Sequence, residues 1–248
     1  MKQTTMTTPS LGGTYDSFYT QGVQIIPGVF SREEVETLRM AAESAVRGSN
    51  PRYPHTFVEH APSGAPAIMF FPALCNTVMD AFRTDERLLK IVQDILGKNV
   101  KQLNNQFYFR YAGDGDSFAW HTDKRFRDDE TTYPGIGDGY LQTAIIVDDW
   151  TEENGAVEYI KGSHKTHFTD THNLRGFRRN GLWGEKIFPK AGDVAIWSVL
   201  VIHGSEQNVS TTSRSYYMNG FAKAECAHEF PYVLWNGEVI PLDEKLIP

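Results

Sequence analysis

The sequence predicts a mainly β protein with flanking α-helices, built on an antiparallel jelly-roll core. Three observations support this fold class. Helical patterns are concentrated between residues 31 and 96. After Gly97 the chain changes to short strand-like runs separated by Gly, Asn, Asp and Pro. Helices followed by a run of strands are typical of helices packed on an antiparallel β core.

The size and composition suit one globular domain. The chain has 248 residues, of which 40% are hydrophobic and 22% charged. These values are ordinary for a chain that can bury a substantial core. We expect residues 1–14, which are rich in Thr, Ser and Gly, to be disordered. Residues 15–248 are then expected to form a single domain.

Charge and composition argue against several classes of protein. The net charge of −7 disfavours a nucleic-acid binder, which usually carries a basic face. The longest apolar stretch, residues 194–202, is too short to span a bilayer, and the polar N-terminus lacks the apolar segment of a signal peptide. Cys75 and Cys226 form no CxxC pair and are predicted to be reduced thiols. We therefore expect a cytoplasmic protein with a small-molecule substrate, without nucleic acid or membrane as partner, and of undetermined oligomeric state.

The first part of the chain contains the helix signals. Residues 23–30 predict a short strand and turn, and Ser31 with Glu34 forms the capping-box pattern of a helix start. Residues 73–96 predict one or two further helices, which Gly97 is positioned to end. The apolar residues at helical spacing are Val35, Leu38, Ala41, Ala42, Ala45, Leu88, Leu89, Val92, Ile95 and Leu96.

Strand candidates follow, with two long connections between them. The connections are residues 124–139 and 162–184. Connections of this length in a compact domain often close over a site, and we expect both to order when a substrate binds. The strand candidates are residues 102–111, 118–123, 140–148, 156–161, 185–189, 193–203 and 214–223.

A His-Thr-Asp motif at residues 121–123 suggests a metal site. On a strand, His121 and Asp123 project to the same face. One imidazole and one carboxylate are two thirds of the facial triad of non-haem Fe(II) oxygenases. The motif alone is weak, because a chain with eight histidines can contain it by chance. The alternative is a histidine at a strand end beside a surface aspartate.

His203 and Arg214 are candidates for a third ligand and a carboxylate anchor. His203 stands where the strongly apolar run 193–203 meets a polar turn, although a structural histidine is the alternative there. An antiparallel strand adjacent to this run would carry Arg214 back to the same cavity. Its guanidinium matches the far carboxylate of a 2-oxoacid that chelates iron, whereas a surface ion pair is the alternative.

Four segments in order resemble the phytanoyl-CoA dioxygenase family of Fe(II)/2-oxoglutarate-dependent oxygenases. The resemblance extends from about residue 15 to about residue 240. The similar segments are FYTQGVQIIPGVFSREEVETLR, LNNQFYFRYAGDGDSFAWHTD, IIVDDWTEENGAVEYIKGSHK and KAGDVAIWSVLVIHGSEQNVSTTSR.

The resemblance implies a double-stranded β-helix, the cupin-like form of the jelly roll, with helices packed on one side. It also implies Fe(II) as cofactor, with 2-oxoglutarate and O2 as co-substrates. The implied metal ligands are His121, Asp123 and His203. The implied contacts of 2-oxoglutarate are Arg214, Ser205, Gln106 and Thr143.

The activity that the resemblance implies is oxidation, most simply hydroxylation, of an unactivated C–H bond with release of succinate and CO2. Related halogenases carry a small residue at the position of Asp123, so its carboxylate favours a hydroxylase. The same iron chemistry can also give desaturation, cyclisation, epimerisation or demethylation. Two further hypotheses stay open. In one, the protein is a jelly-roll protein that binds a small ligand without catalysis, and in the other it is a zinc hydrolase.

Basic and aromatic residues near the motif and in the second connection are candidate substrate contacts. A cluster of arginines facing the cavity would suit an anionic substrate. The alternative is solvated charge, neutralised in part by the acidic residues 128–130. The candidates are Trp120, Arg125, Phe126, Arg127 and Arg178.

Overall fold

The computed structural model describes residues 15–47, 57–113, 117–165, 184–228, 232–235 and 238–239. The predicted disorder of residues 1–14 lies outside the described residues, as does most of the predicted connection 162–184. Within the described part, no helix is long and apolar enough to cross a membrane. Among the described residues, neither Cys75 nor Cys226 forms a disulfide.

The helices begin and end close to the predicted positions. Ser31 and Glu34 form the predicted capping box, in which each backbone N–H donates to the other side chain, at 2.6 and 3.1 Å. Gly97 ends the last long helix with a positive φ of 95°. The helices are α1 (Asp16–Gln21), α2 (Arg32–Arg47), α3 (Thr77–Arg83), α4 (Glu86–Leu96) and α5 (Ile136–Gly139).

The strands form two antiparallel sheets. In chain order the strands are β1 (Val23–Ile26), β2 (Phe57–His60), β3 (Pro66–Phe70), β4 (Val100–Tyr108), β5 (Phe118–His121), β6 (Tyr140–Ile146), β7 (Val157–Tyr159), β8 (Glu185–Lys186), β9 (Val194–Ser198), β10 (His203–Ser205), β11 (Tyr216–Lys223), β12 (Tyr232–Trp235) and β13 (Glu238–Val239). The larger sheet has the order β1-β9-β6-β11-β4, and β4 then pairs with β3 near one end and β12 near the other. The smaller sheet has the order β5-β10-β7-β8.

Alternation along the strands of the larger sheet creates two apolar layers. On β11, Tyr217 packs with Leu38 of α2 on the outer face of the sheet. Its neighbours Tyr216 and Met218 pack with Tyr159 of the smaller sheet on the inner face. Helices therefore cover one side of the larger sheet, and the smaller sheet covers the other, which confirms the predicted jelly-roll architecture with helices on one side.

The predicted strand 193–203 is wrong in one respect, because it divides between the two sheets. The strand β9 ends at Ser198, whose N–H donates to the carbonyl of Gly22, and the N–H of Val201 then donates back to the Ser198 carbonyl. This turn carries the chain to β10, which begins at His203 in the smaller sheet. The apolar run is continuous because Val199, Val201 and Ile202 are buried where the chain crosses between the layers.

Two further differences concern short elements. The sequence analysis did not identify the pair β2 and β3 or the pair β12 and β13, which are short and lie towards the margins of the larger sheet. The predicted connection 124–139 contains short helical elements, namely α5 and most of a 3₁₀ turn (Asp123–Phe126).

Candidate metal centre

Three side chains converge between the two sheets. His121 ends β5 and is paired directly with His203, the first residue of β10. The ring centroids of these histidines are 4.3 Å apart. Oδ1 of Asp123 lies 3.5 Å from Nε2 of His121 and 3.8 Å from Nε2 of His203. All three residues are buried, and each offers a ligand atom within 4.8 Å of the other two. This spacing suits one metal ion bound by two imidazoles and a carboxylate.

Backbone carbonyls set the orientation of both imidazoles. Nδ1 of His121 lies 2.7 Å from the carbonyl oxygen of Ala119, and Nδ1 of His203 lies 3.0 Å from that of Val201. A carbonyl can only accept, so each Nδ1 carries the proton and donates it. The lone pair of each Nε2 is then directed at the shared point, as a metal ligand requires.

The larger sheet holds the carboxylate of Asp123. Its Oδ2 accepts a hydrogen bond from Nε1 of Trp197 at 3.0 Å and another from Nε2 of Gln142 at 3.2 Å. Oδ1 is therefore the oxygen that faces the histidines. The sequence analysis missed Trp197 and Gln142, and the signal that could have found Gln142 is a polar residue within an otherwise apolar strand.

Electrostatics keep the ligands in their metal-binding protonation states. Burial raises the pKa of Asp123, but the positive charges that His203 and His121 carry when protonated and the hydrogen bond from Trp197 outweigh it, so the pKa lies below its usual value. Burial and the neighbouring His121 lower the pKa of His203 to about 4. At neutral pH the carboxylate is therefore ionised and His203 is neutral.

The HTD motif does not lie on a single strand as predicted. The strand β5 ends at His121, and a 3₁₀ turn begins at Asp123, in which the N–H groups of Arg125 and Arg127 donate to the carbonyls of Thr122 and Lys124 at 3.4 and 2.7 Å. Thr122 between the two ligands remains extended, with φ −111° and ψ 146°. The alternation across Thr122 is thus preserved, and the predicted projection of His121 and Asp123 to one side is observed.

A cavity with aromatic walls lies beside the three ligands. Its walls come from both sheets and include Tyr108, Trp150, Tyr159, Ser205 and Tyr216. The hydroxyl of Ser205 is buried and has no hydrogen-bond partner among the described residues. Because a buried polar group without a partner is costly, this hydroxyl indicates a place where a polar ligand would bind.

Arg214 lies next to this cavity and is almost completely buried. Its Nε donates to the carbonyl of Asn154 at 3.0 Å, whereas its Nη1 is buried without a partner among the described residues. The guanidinium lies 5.3 Å from the ring centroid of Trp150 and 5.7 Å from that of Tyr216, and both rings line the cavity. Burial lowers the pKa of Arg214 to about 10, so the group stays charged at neutral pH. A buried guanidinium with a free donor fits a carboxylate ligand.

The route by which Arg214 reaches the cavity differs from the prediction. The strand that follows it, β11, is not adjacent to β10 but pairs with β4 and β6 in the larger sheet. Arg214 and Ser205 therefore approach the cavity from opposite sheets. The donor set of two imidazoles and one carboxylate, with these two donors beside it, fits Fe(II) together with a 2-oxo dicarboxylate.

The other two predicted contacts of 2-oxoglutarate are placed differently. Gln106 lies on the inner face of β4, where its Oε1 accepts from the hydroxyl of Tyr108 at 2.9 Å. Thr143 is fully buried on the outer face of β6, and its hydroxyl donates to the carbonyl of Asn219 at 2.9 Å. The structure does not bring Thr143 to the cavity, because adjacent residues of a strand face opposite sides. Its neighbour Gln142 faces inward instead.

Two of the candidate substrate contacts lie away from the cavity or outside the described residues. Trp120 packs against Ile160 and Ile202, which form a separate cluster of the smaller sheet. Because Trp120 neighbours His121 on the strand, its side chain lies on the opposite face, away from the metal ligands. Arg178 lies outside the described residues.

The remaining candidates lie on the 3₁₀ turn that starts at Asp123. Phe126 is 62% exposed, and its ring centroid is 6.2 Å from that of His121. The guanidinium of Arg125 lies 4.5 Å from the ring centroid of Phe126. The guanidinium of Arg127 lies 4.7 Å from the ring centroid of Tyr140. Phe126, with Arg125 over its ring, therefore lies beside His121, whereas Arg127 packs on Tyr140 of β6.

Two proteins with similar sequences are named as dioxygenases, which agrees with a metal site of this composition. A "probable alpha-ketoglutarate-dependent hypophosphite dioxygenase" of Stutzerimonas stutzeri is 28% identical over 168 residues, which are 62% of this chain and 56% of that protein. The chain thus spans little more than half the length of that relative. An ectoine dioxygenase of Stutzerimonas stutzeri strain A1501 is 24% identical over 243 residues, which are 88% of this chain and 78% of that protein.

Solved structures share the fold. The crystal structure of EctD from S. alaskensis with 2-oxoglutarate and 5-hydroxyectoine has a TM-score of 0.76 at 18% identity, covering 99% of this chain and 88% of that chain. The epimerase SnoN from nogalamycin biosynthesis has a TM-score of 0.67 at 15% identity, covering 92% and 84%. The family model described as phytanoyl-CoA dioxygenase (PhyH) matches residues 18–216. The chain therefore belongs to the phytanoyl-CoA dioxygenase family, whose enzymes are dioxygenases that use Fe(II), 2-oxoglutarate and O2.

Proposed function

We propose that the protein hydroxylates an unactivated C–H bond of a small molecule, coupled to the conversion of 2-oxoglutarate into succinate and CO2. One oxygen atom of O2 enters the product and the other enters succinate, which balances the reaction. The observation that carries the proposal is the convergence of His121, Asp123 and His203 near Arg214, whose Nη1 has no hydrogen-bond partner among the described residues. The names of the relatives, which specify ectoine and hypophosphite, support a small-molecule substrate.

In this proposal the protein holds the metal from one side. Nε2 of His121, Nε2 of His203 and Oδ1 of Asp123 are the ligands, and three protein ligands leave positions open for the co-substrates. Bound Fe(II) together with 2-oxoglutarate would activate O2, which is the oxidant of the reaction. The carboxylate of Asp123 occupies a position that halogenases leave to a halide, which supports hydroxylation.

The Arg214 end of the cavity is proposed to hold 2-oxoglutarate. Nη1 of Arg214 and the hydroxyl of Ser205 would donate to the carboxylate far from the metal, which satisfies two buried groups that otherwise lack partners among the described residues. The rings of Trp150 and Tyr216 exclude water from this pair and so strengthen it. Gln106 on the inner face of β4 is retained as a weaker candidate contact, whereas Thr143 is not.

The proposal is tested by anaerobic titration of the metal-free protein with Fe(II) and then 2-oxoglutarate. The chelate of the two gives a weak visible absorption band. We expect this band in the wild type, and we expect Arg214→Met to require at least about tenfold more 2-oxoglutarate because a charge-assisted hydrogen bond is lost. Arg32→Met is the matched control, since Arg32 forms an exposed ion pair with Asp149.

The metal ligands are tested in the same titration. His121→Ala should bind Fe(II) weakly and form no band, whereas the exposed His60→Ala should behave as the wild type. An unchanged metal content and band in His121→Ala would contradict the assignment of the ligands. Metal binding without any band in the wild type would favour the zinc hydrolase or the binding protein. Once a substrate is identified, the mass of its product should show a gain of one oxygen atom. A loss of two hydrogen atoms would indicate desaturation.

A further inference from the structure

A Gly-Ser-His-Lys turn at residues 162–165 follows β7. The N–H of Ser163 donates to the carbonyl of Ile160 at 3.1 Å, and the N–H of Gly162 donates to that of Gln21 at 2.7 Å. Ser163 itself is buried. The turn is therefore anchored to the end of β7 and to the end of α1, and Ser163 lies in the interior of the protein.

The hydroxyl of Ser163 contacts the segment that carries His203 into the smaller sheet. This crossing segment, residues 199–202, lies between β9 and β10. Oγ of Ser163 accepts a hydrogen bond from the N–H of Ile202 at 2.9 Å. The carbonyl of Ile202 in turn accepts from the N–H of Ile160 at 2.9 Å. The residue immediately before the metal ligand is thus hydrogen-bonded through both its N–H and its carbonyl.

The N–H of Ile202 belongs to the same peptide group as the carbonyl of Val201. That carbonyl accepts the hydrogen bond from Nδ1 of His203 at 3.0 Å. A trans peptide group is planar, and its N–H and C=O point in opposite directions, so holding the N–H fixes the direction of the C=O. Ser163 and the imidazole of His203 are therefore bound to opposite ends of one peptide group.

Packing around Gly22 restricts the same peptide group. A Cβ at Gly22 would lie 2.2 Å from Cγ2 of Val201 and 2.6 Å from Nδ1 of His164, so both side chains are in close contact with this glycine. Nε2 of His164 lies 3.3 Å from the carbonyl oxygen of Tyr19. The turn and the crossing segment therefore pack together against the start of β1, which leaves the peptide group little room to move away from Ser163.

We propose that Ser163 is a positioning residue for the metal ligand His203, and that it acts through the peptide group between Val201 and Ile202. This inference rests on the proposed function, because it takes His203 as a ligand of Fe(II). Oγ of Ser163 holds the N–H end of the peptide group, and the carbonyl end holds Nδ1–H of the imidazole. Nε2 of His203 is thereby kept directed at the point that the three ligands share.

Ser163→Ala removes the acceptor of the Ile202 N–H and so releases the peptide group. We expect its affinity for Fe(II) to fall by about tenfold or more, because the imidazole of His203 is no longer held at the angle that the metal requires. The measurement is an anaerobic titration of the metal-free protein with Fe(II) alone. With 2-oxoglutarate added, the maximum of the visible band should also shift from its wild-type position. Ser163→Thr keeps the hydroxyl and should bind Fe(II) within about threefold of the wild type.

Asn76→Ala is the matched control, because it also removes a side-chain acceptor of backbone N–H groups. Oδ1 of Asn76 accepts from the N–H groups of Val78 and Met79 at 3.0 and 3.1 Å at the start of α3, a helix that packs on α2 and α4. Asn76→Ala and Ser163→Ala should each lower the Tm of the metal-free protein by roughly 2–4 °C. Only Ser163→Ala should weaken Fe(II) binding, whereas Asn76→Ala should stay within about twofold of the wild type.

The outcomes separate this inference from the proposed function. If Ser163→Ala lowers the Tm but keeps the Fe(II) affinity and the band of the wild type, Ser163 has only a structural role and the inference is wrong. An equal loss of Fe(II) affinity in Asn76→Ala, or in Ser163→Thr, would also contradict it. If instead His203→Ala binds Fe(II) as tightly as the wild type, the assignment of His203 as a ligand fails, and the proposed function fails with it.

Discussion

Asp123 shows how a single residue depends on partners far away in the chain. Its carboxylate could present either oxygen, but Trp197 and Gln142 donate to Oδ2 and leave Oδ1 towards the histidines. Groups that hydrogen-bond to a metal ligand commonly contribute about tenfold to a hundredfold to metal affinity, because they fix the orientation of that ligand. The indole of Trp197 is therefore expected to act on metal binding without touching the metal.

Trp197→Phe should lower the affinity for Fe(II) by about tenfold to a hundredfold, because the carboxylate loses one of its two orienting hydrogen bonds. The measurement is an anaerobic metal titration without 2-oxoglutarate. Trp150→Phe is the matched control, since the Nε1 of Trp150 is buried but has no hydrogen-bond partner among the described residues. An equal loss of affinity in both variants would indicate a general packing effect.

Some residues of the candidate site could be predicted from the sequence, and others could not. The motif at residues 121–123 and the position of His203 suggested the three ligands, the family resemblance implied them, and the structure brings all three together. Thr143 was misplaced because a strand reverses its facing at every residue, so an error of one position moves the side chain to the other layer. Gln142, one residue earlier, is the inward-facing residue of this pair.

Among the elements, the turn containing Asn154 and Gly155 connects the two sides of the proposed 2-oxoglutarate pocket. The carbonyl of Asn154 accepts from Arg214. Gly155 has a φ of 75°, and a Cβ there would lie 2.4 Å from the carbonyl oxygen of Glu206 and 2.8 Å from that of Gln207. The turn can therefore pack against the segment after Ser205 only if residue 155 is glycine.

Gly155→Ala should raise the Kd for 2-oxoglutarate by about tenfold or more while Fe(II) affinity is retained, because misplacing a charged hydrogen bond forfeits much of its energy. The two affinities are measured by the anaerobic band and by metal titration. Gly28→Ala is the control, since Gly28 also has a positive φ, 64°, but open space around its Cβ position. Retained 2-oxoglutarate affinity in Gly155→Ala would show that the contact does not position Arg214.

At the scale of the whole molecule, the metal centre lies between the two sheets and contacts both. His121 and His203 belong to the smaller sheet, whereas the donors that orient Asp123 lie on β6 and β9 of the larger sheet. A metal ion bound by all three ligands therefore crosses the interface between the layers. Because it binds the folded state and not the unfolded chain, it must stabilise the fold.

Removal of the metal should therefore lower the Tm of the whole domain. At a metal concentration of about a thousand times Kd, the stabilisation is about 4 kcal/mol, which corresponds to roughly 8–16 °C for a chain of this size. Thermal unfolding with Mn(II), a redox-stable stand-in for Fe(II), is compared with unfolding in EDTA. Asp123→Ala should lose most of this difference, whereas a large difference that persists in this variant would point to another metal site.

The sequence by itself determined the features that depend on neighbouring residues. The capping box at Ser31 and the helix end at Gly97 depend on hydrogen bonds and backbone conformation within a few residues. A short stretch of sequence is therefore enough to predict them. The order of helices and strands determined the fold class for the same reason. The metal-ligand types follow from the chemistry of imidazole and carboxylate groups.

Only the tertiary structure decided how these parts meet. The apolar run 193–203 carries no sign that it leaves one sheet at Ser198 and enters the other at His203. Pairing of His203 with His121, and the approach of Arg214 from the opposite sheet, depend on hydrogen bonds between distant strands. Strand register and the packing of the two layers depend on residues far apart in the chain, so no short stretch of sequence specifies these pairings. The pairings in turn decide which side chains face the metal.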